Sequence, residues 1–170
     1  MVKPAHDGSS IGVTKLAEPT VAALRKALED AAGVRGDEVL VEEYIHGREF
    51  TVAVLDGRAL PVIEIRAPEG DYDFNNKYFG DAVHYDCPAK LEDEAAATLG
   101  SLCERAFAAV GARGWSRIDA LQRADGSFAL LEINTSPGMT PHSLVPMAAR
   151  AVGMDYADLC LKVLSLARCD

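Results

Sequence analysis

Apolar residues recur at helical spacing in four stretches of this chain and alternate with polar ones across much of the rest. Val21, Leu24, Leu28 and Ala31 predict a helix with Thr20 as its N-cap and Gly33 as its stop. A second helix is expected from Glu92 to Val110, burying Ala95, Leu99, Leu102 and Ala106 and ending at Gly111. Two more are expected from Ser143 to Val152 and from Tyr156 to Ala167, the last with Leu159, Val163 and Leu164 inward. Strand patterns cover Glu38 to Tyr44, Glu49 to Leu55 and Ala59 to Ile65, parted by turns at His46-Gly47 and Asp56-Gly57, and read as an antiparallel meander. Met1 to Pro4 reads as the end of a strand running into a Gly- and Ser-rich loop. Between Ala67 and Pro88 periodicity disappears, and a polar loop of that length is either a disordered connection or a functional lid.

The most informative pattern comes near the C-terminus. In Leu131 to Gly138, alternation puts Glu132 and Asn134 on one strand face and Leu131 and Ile133 on the other, before a Pro-Gly turn. Upstream, Trp115 to Leu121 places Arg117 and Asp119 on one face, and Asp125-Gly126 predicts a two-residue hairpin turn. Pairing about that turn sets Asp119 opposite Glu132 and Arg117 opposite Asn134. Opposed carboxylates repel, so the arrangement asks for a cation. Mg²⁺ suits it, because that ion takes one or two carboxylates with an amide oxygen and completes its octahedron with water and phosphate oxygens. The plain alternative is a solvated polar face carrying two unrelated acids.

With 170 residues the chain can bury a core without disulfides, and its apolar and charged fractions are those of a globular protein. A net charge of -9 and a pI near 4.9 argue against nucleic acid or an anionic membrane as partner. An anionic ligand must then rely on local lysines, arginines and metal ions. Cys87, Cys103, Cys160 and Cys169 lack metal-ligand spacing and read as reduced core residues. No span-length apolar run and no signal pattern are seen, so the cytoplasm is the expected compartment.

Three further segments could carry chemistry. Gly8-Ser9-Ser10-Ile11-Gly12, after Lys3, can curl its N–H groups and hydroxyls around an anion, although it lacks the GK[ST] ending of a Walker loop and reads equally as a turn. Glu42 and Glu43 close an apolar strand before Tyr44-Ile45, a hinge that can meet a flat base with Glu49 on a sugar, or else an edge strand with solvated acids. Ser143 follows Gly138-Met139-Thr140-Pro141-His142 at a predicted helix start, where it could bind a carboxylate or simply serve as N-cap. No G-x-S-x-G elbow supports a serine hydrolase.

Val2-Lys3-Pro4-Ala5, Gly8 to Val13, Val41 to Ile45, Gly47 to Val52, Leu60 to Ile65, Lys77-Tyr78, Glu132 to Thr140 and His142 to Pro146 occur in this order and together closely resemble the D-alanine–D-alanine ligases of the ATP-grasp superfamily. The resemblance implies an α+β ATP-grasp fold, its C-terminal portion, with an antiparallel sheet and flanking helices over residues 1–170. It implies ATP-dependent ligation of two D-alanines through an acyl phosphate for peptidoglycan precursor synthesis, with two Mg²⁺ ions that Mn²⁺ could replace. Carried onto this chain, Lys3 would touch the ATP phosphates, and Ser9 and Ser10 would close on them. Glu42, Tyr44 and Ile45 would frame the adenine, and Glu49 would meet the ribose. Asp119, Glu132 and Asn134 would hold the metal ions. Arg117 would stabilise the reacting carboxyl, Gly138 would lend a backbone N–H, and Ser143 and Leu144 would receive the second D-alanine. Lys77 and Tyr78 would lie on the loop that shields the acyl phosphate, where Tyr78 favours dipeptide over depsipeptide.

Against that family pattern, the chain is expected to lack the N-terminal domain and the start of the ATP-binding domain ahead of Met1. The strand edge beside Val2 and Lys3 is therefore expected to stand open, and the isolated chain is expected to be inactive. Expected partners are D-alanine and either a second copy in a homodimer or the missing N-terminal half. Two other readings remain: a MgATP-binding remnant or split-protein half without turnover, and another ATP-grasp carboxylate-amine ligase.

Overall fold

The computed structural model describes residues 1–6, 11–16, 19–35, 38–66 and 83–168, which form two compact units. Ser9, Ser10, Lys77, Tyr78 and Cys169 lie outside the described residues. Among those described, no helix is long and apolar enough to cross a membrane.

The first unit comprises Met1–Ile45 with Ala67–Val83. Its strands β1 (Val2–Pro4) and β2 (Val39–Val41) pair antiparallel, with Lys3 opposite Leu40. The other edge of Val2 is used as well, since it exchanges two backbone hydrogen bonds with Thr14 at 2.9 and 2.7 Å. The expected open edge at Val2 is thus closed within the unit. Helix α1 (Val21–Arg35) begins as expected, Thr20 Oγ1 accepting from the Ala23 N–H at 3.1 Å, and buries Ala27 and Ala31 against Val2. It runs past Gly33, because glycine weakens a helix by about 1 kcal/mol without ending it.

The second unit, His46–Arg66 with His84–Asp170, is built on an antiparallel sheet. Its strands are β3 (Glu49–Leu55), β4 (Arg58–Ala59), β5 (Ile63–Arg66), β6 (His84–Asp86), β7 (Trp115–Gln122) and β8 (Phe128–Asn134). The order is β6-β5-β3-β7-β8, with β4 pairing β3. The expected meander is corrected at both ends: β2 leaves it to pair with β1, and β6 lies inside the stretch expected to be a loop. At the start of β3, a Cβ on Gly47 would lie 1.7 Å from the Gln122 carbonyl oxygen, so only glycine lets the two backbones meet there.

Helix α2 (Asp93–Ala109) covers one face of the sheet. Its buried line is Leu99, Cys103 and Phe107, against Phe50, Val52, Val54, Ile118 and Ala120. Of the expected stripe Leu99 is buried as predicted, whereas Ala95, Leu102 and Ala106 are half-buried and the line turns toward Cys103 and Phe107. Helices α3 (Leu144–Ala151) and α4 (Tyr156–Leu166) cover the opposite face, burying Val145, Ala148 and Leu159 against Ala53, Leu55 and Ile63. Leu159 and Val163 point inward as expected, but Leu164 is 70% exposed and Leu166 takes its place. The result is the α+β arrangement expected from the sequence.

Candidate active site

On the face shared with α3 and α4, β3 presents Leu55 and Ala53 and then Thr51 and Glu49, passing from apolar to polar along one strand. The neighbouring β7 places Arg117 opposite Ala53 and Asp119 opposite Thr51. Strand β8 then sets Glu132 opposite Asp119 and Asn134 opposite Arg117, the register predicted from sequence.

The route to that register differs from the prediction. The hairpin closes through a three-residue loop, with the Gly126 N–H bonded to the Arg123 carbonyl at 2.9 Å, the Arg123 N–H to the Ser127 carbonyl at 2.8 Å, and Gly126 at φ +85. Gln122 therefore faces Phe128 and Ala120 faces Leu130, one residue off the two-residue-turn register. An irregularity between Asp119 and Ala120 absorbs the difference and leaves Leu131 as the extra residue. Leu131 is 37% exposed, and Leu130 packs with Ile133 against the α2-side core. The expectation that Leu131 shares a face with Ile133 is corrected accordingly: Leu130 takes that place.

Asp119 is buried and accepts three hydrogen bonds. Its Oδ1 accepts from Thr51 Oγ1 at 2.6 Å and Arg117 Nε at 2.9 Å, and its Oδ2 from Arg117 Nη2 at 2.7 Å. Glu132 lies 3.8 Å from the same guanidinium, beyond hydrogen-bond reach, and is 55% exposed. A guanidinium thus answers the repulsion between the opposed acids, a role that the sequence argument had given to a metal ion. The carboxylates still fit such an ion. A carboxylate offers about four lone pairs, of which Asp119 has used three, leaving one on Oδ2 beside those of Glu132. Among the described residues no group of three His, Cys, Asp or Glu is placed to hold a metal. Two carboxylates with an amide instead match Mg²⁺, which draws its remaining ligands from phosphate and water. Asn134 Oδ1 currently accepts from the Ser136 N–H at 3.1 Å, bending the chain out of β8.

After that bend comes the loop to α3. A Cβ on Gly138 would lie 3.0 Å from Ser143 Oγ, so glycine allows the two to sit together. Ser143 occupies the N-cap position of α3, yet its hydroxyl makes no cap hydrogen bond. It turns back to accept from the Thr140 N–H at 3.0 Å and meets the Thr140 hydroxyl at 2.9 Å. The commoner reading of Ser143 as a capping residue is therefore corrected: position and hydroxyl are decoupled, and the hydroxyl belongs to the Gly138 loop. Leu144 opens α3 and packs against the core.

In the first unit, Lys3 Nζ lies 2.6 Å from Glu42 Oε2, joining a residue assigned to phosphate with one assigned to the base. Lys15 Nζ stands 4.7 Å over the Tyr44 ring, a cation–π contact that no local sequence signal announced. Ile45 is half-buried at the end of this unit, and Glu49 belongs to the second. Also missed from sequence were Thr51, whose hydroxyl holds Asp119, and Tyr156, whose hydroxyl donates to the Met139 carbonyl at 2.6 Å.

Known proteins resemble this chain over nearly its whole length. The family model described as D-ala D-ala ligase C-terminus matches residues 1–165. A D-alanine–D-alanine ligase of Bordetella petrii is 51% identical over 99% of this chain and 52% of its own length. That of Bordetella pertussis is 53% identical over 99% and 54%. Among solved structures, D-alanine–D-alanine ligase from Bacillus anthracis superposes with a TM-score of 0.81 at 32% identity, over 97% of this chain and 53% of that one. A structure of the Bacillus anthracis ligase complexed with ATP gives a TM-score of 0.76 at 27% identity, over 97% and 49%. The chain spans about half the length of the curated relatives it matches.

Proposed function

The chain belongs to the D-alanine–D-alanine ligase family, over the C-terminal part with its ATP-grasp fold, and from that premise we propose that it carries the catalytic residues of an ATP-dependent ligation of two D-alanines. The observation that carries this reading is the β7–β8 register, which opposes Asp119 to Glu132 and Arg117 to Asn134 on one face. Residues 1–170 are assigned as the ATP-grasp C-terminal catalytic domain, completed by sequence equivalent to the other half of its relatives. The reaction is assigned to the cytoplasm, where ATP is supplied.

In this reading Lys3, Ser9 and Ser10 bind the phosphates, Glu42, Tyr44 and Ile45 the adenine, and Glu49 the ribose. Asp119, Glu132 and Asn134 hold Mg²⁺, which when bound neutralises the charge developing on the transferred phosphoryl group. Thr51 and Arg117 keep the Asp119 carboxylate in one orientation, so no reorganisation is needed at the moment of transfer. Arg117 also faces the carboxyl of the first D-alanine, which becomes the acyl phosphate. The Gly138 N–H and Ser143 hydroxyl receive the second D-alanine and the oxygen that develops charge when its amine attacks. Lys77 and Tyr78 exclude water from the acyl phosphate.

Asp119→Asn and Glu132→Gln test the assignment in a protein extended to the length of its relatives. Each should lower turnover by at least about a hundredfold, since several kcal/mol of charge stabilisation is lost, while the circular dichroism of the folded state is kept. Activity near that of the unsubstituted protein across a Mg²⁺ titration would sink the metal role.

A further inference from the structure

The hydrogen bonds within the loop from Gly138 to Ser143 join Thr140 to Ser143 and leave the Met139 and Pro141 carbonyls to partners outside it. Pro137 and Pro141 contribute no N–H donor, and the backbone bond within the loop runs from the Ser143 N–H to the Thr140 carbonyl at 2.9 Å. Two side chains from the C-terminal helices supply what is lacking. Tyr156, the first residue of α4, donates its hydroxyl to the Met139 carbonyl at 2.6 Å. Arg150, in the last turn of α3, donates from Nη1 to the Pro141 carbonyl at 2.7 Å. These bonds flank Thr140, whose N–H and hydroxyl both meet Ser143 Oγ. The two carbonyls are thereby drawn toward the helices, which fixes the backbone on either side of the residue that orients the Ser143 hydroxyl.

We propose that Tyr156 and Arg150 are positioning residues, holding the Gly138–Ser143 loop in the geometry that receives the acceptor amino acid. The proposal rests on the function assigned above and deepens it. Helices α3 and α4 are rigid elements packed on the sheet, so a loop tied to both inherits their precision, whereas a loop relying on its own bonds samples other conformations. Neither side chain reaches the Asp119–Glu132 pair among the contacts it makes, so its effect should fall on the acceptor and not on phosphoryl transfer.

Two measurements decide this. In the 170-residue chain, Tyr156→Phe and Arg150→Met should each speed hydrogen exchange of the Thr140 and Ser143 amides by about 3- to 10-fold, the loss expected for one hydrogen bond, with β7 and α2 amides unchanged. In a protein extended to the relatives' length, the same substitutions should raise KM for the acceptor D-alanine by about 3- to 10-fold while KM for ATP stays within about twofold. Arg150→Lys keeps a donor and should recover most of the loss. Loop amides that exchange as before, or equal rises in KM for ATP and D-alanine, would overturn the proposal. If the unsubstituted protein forms no D-alanyl-D-alanine, the proposed function itself falls and takes the acceptor role with it, a result told apart because it involves no variant.

Discussion

Ser116 lies fully buried on β7, and its hydroxyl has no hydrogen-bond partner among the described residues. Three residues along the same strand, Asp119 is also buried but its oxygens accept three hydrogen bonds. The contrast separates a polar atom that is merely tolerated from one the surroundings are arranged to hold. An unpaired buried hydroxyl costs roughly 1–3 kcal/mol in desolvation, whereas exchanging serine for alanine leaves only a small void. Ser116→Ala should therefore raise stability by about 1 kcal/mol in urea unfolding. A lower midpoint would mean that the hydroxyl is satisfied in solution. Ser116 was invisible as an anomaly in the sequence, since a serine in a strand announces neither its burial nor its partners. Asp119 was legible because its alternation with Arg117 followed from strand period and its pairing with Glu132 from the Asp125-Gly126 turn signal.

At the scale of the element, the β7–β8 hairpin shows how a correct register can rest on a wrong turn. Counting outward from Asp125-Gly126 paired Asp119 with Glu132, and the structure keeps that pair although its loop has three residues and its strand an extra one. The bulge residue changes which leucine supports the core. Leu130 packs beside Phe128 on the α2 side, whereas Leu131 is left at the surface. Leu130→Ala should consequently cost about 1–3 kcal/mol and Leu131→Ala less than about 1 kcal/mol, measured by chemical unfolding. The reverse order would restore the regular alternation expected from the sequence. Local pattern could not reveal the bulge, because a run of Ala129, Leu130 and Leu131 offers apolar side chains to either face.

At the scale of the whole molecule, the sheet of the second unit carries helices on both faces, and Cys103 lies in the core between that sheet and α2. Burial, aided by the negative charges of Asp119 and Glu104, pushes its thiol from an ordinary 9.0 up to about 12. Above pH 9 the unfolded chain has lost this proton while the folded chain retains it, so the unfolded state binds fewer protons and stability falls as pH rises. The loss runs from about pH 9 to about pH 12 and reaches at most roughly 1.4 kcal/mol per pH unit. Cys103→Ala should flatten that part of the curve relative to the parent protein, as followed by denaturant unfolding across alkaline pH. Identical slopes would show that the thiolate is accommodated in the folded core. Of the three cysteines among the described residues, Cys103 lies in the core as expected, whereas Cys87 and Cys160 are only half-buried.

Strand and helix periods determined most of the elements, because those depend on side chains only a few residues apart. The opposed acids needed the Asp125-Gly126 turn signal as well, and the α+β class came with the family resemblance. The ordered motifs from Lys3 to Pro146 likewise carried the family resemblance without reference to contacts. Tertiary structure alone decided that β2 would desert the meander for β1, that Arg117 would clamp Asp119, and that the Ser143 hydroxyl would turn from its helix toward Gly138. It alone brought Thr51 and Tyr156 to their sites, across 68 and 17 residues of chain. The physical reason is the same in each case: these outcomes are choices among several partners of similar chemistry, and the choice is made by which backbone arrives within hydrogen-bonding distance once the apolar faces have packed.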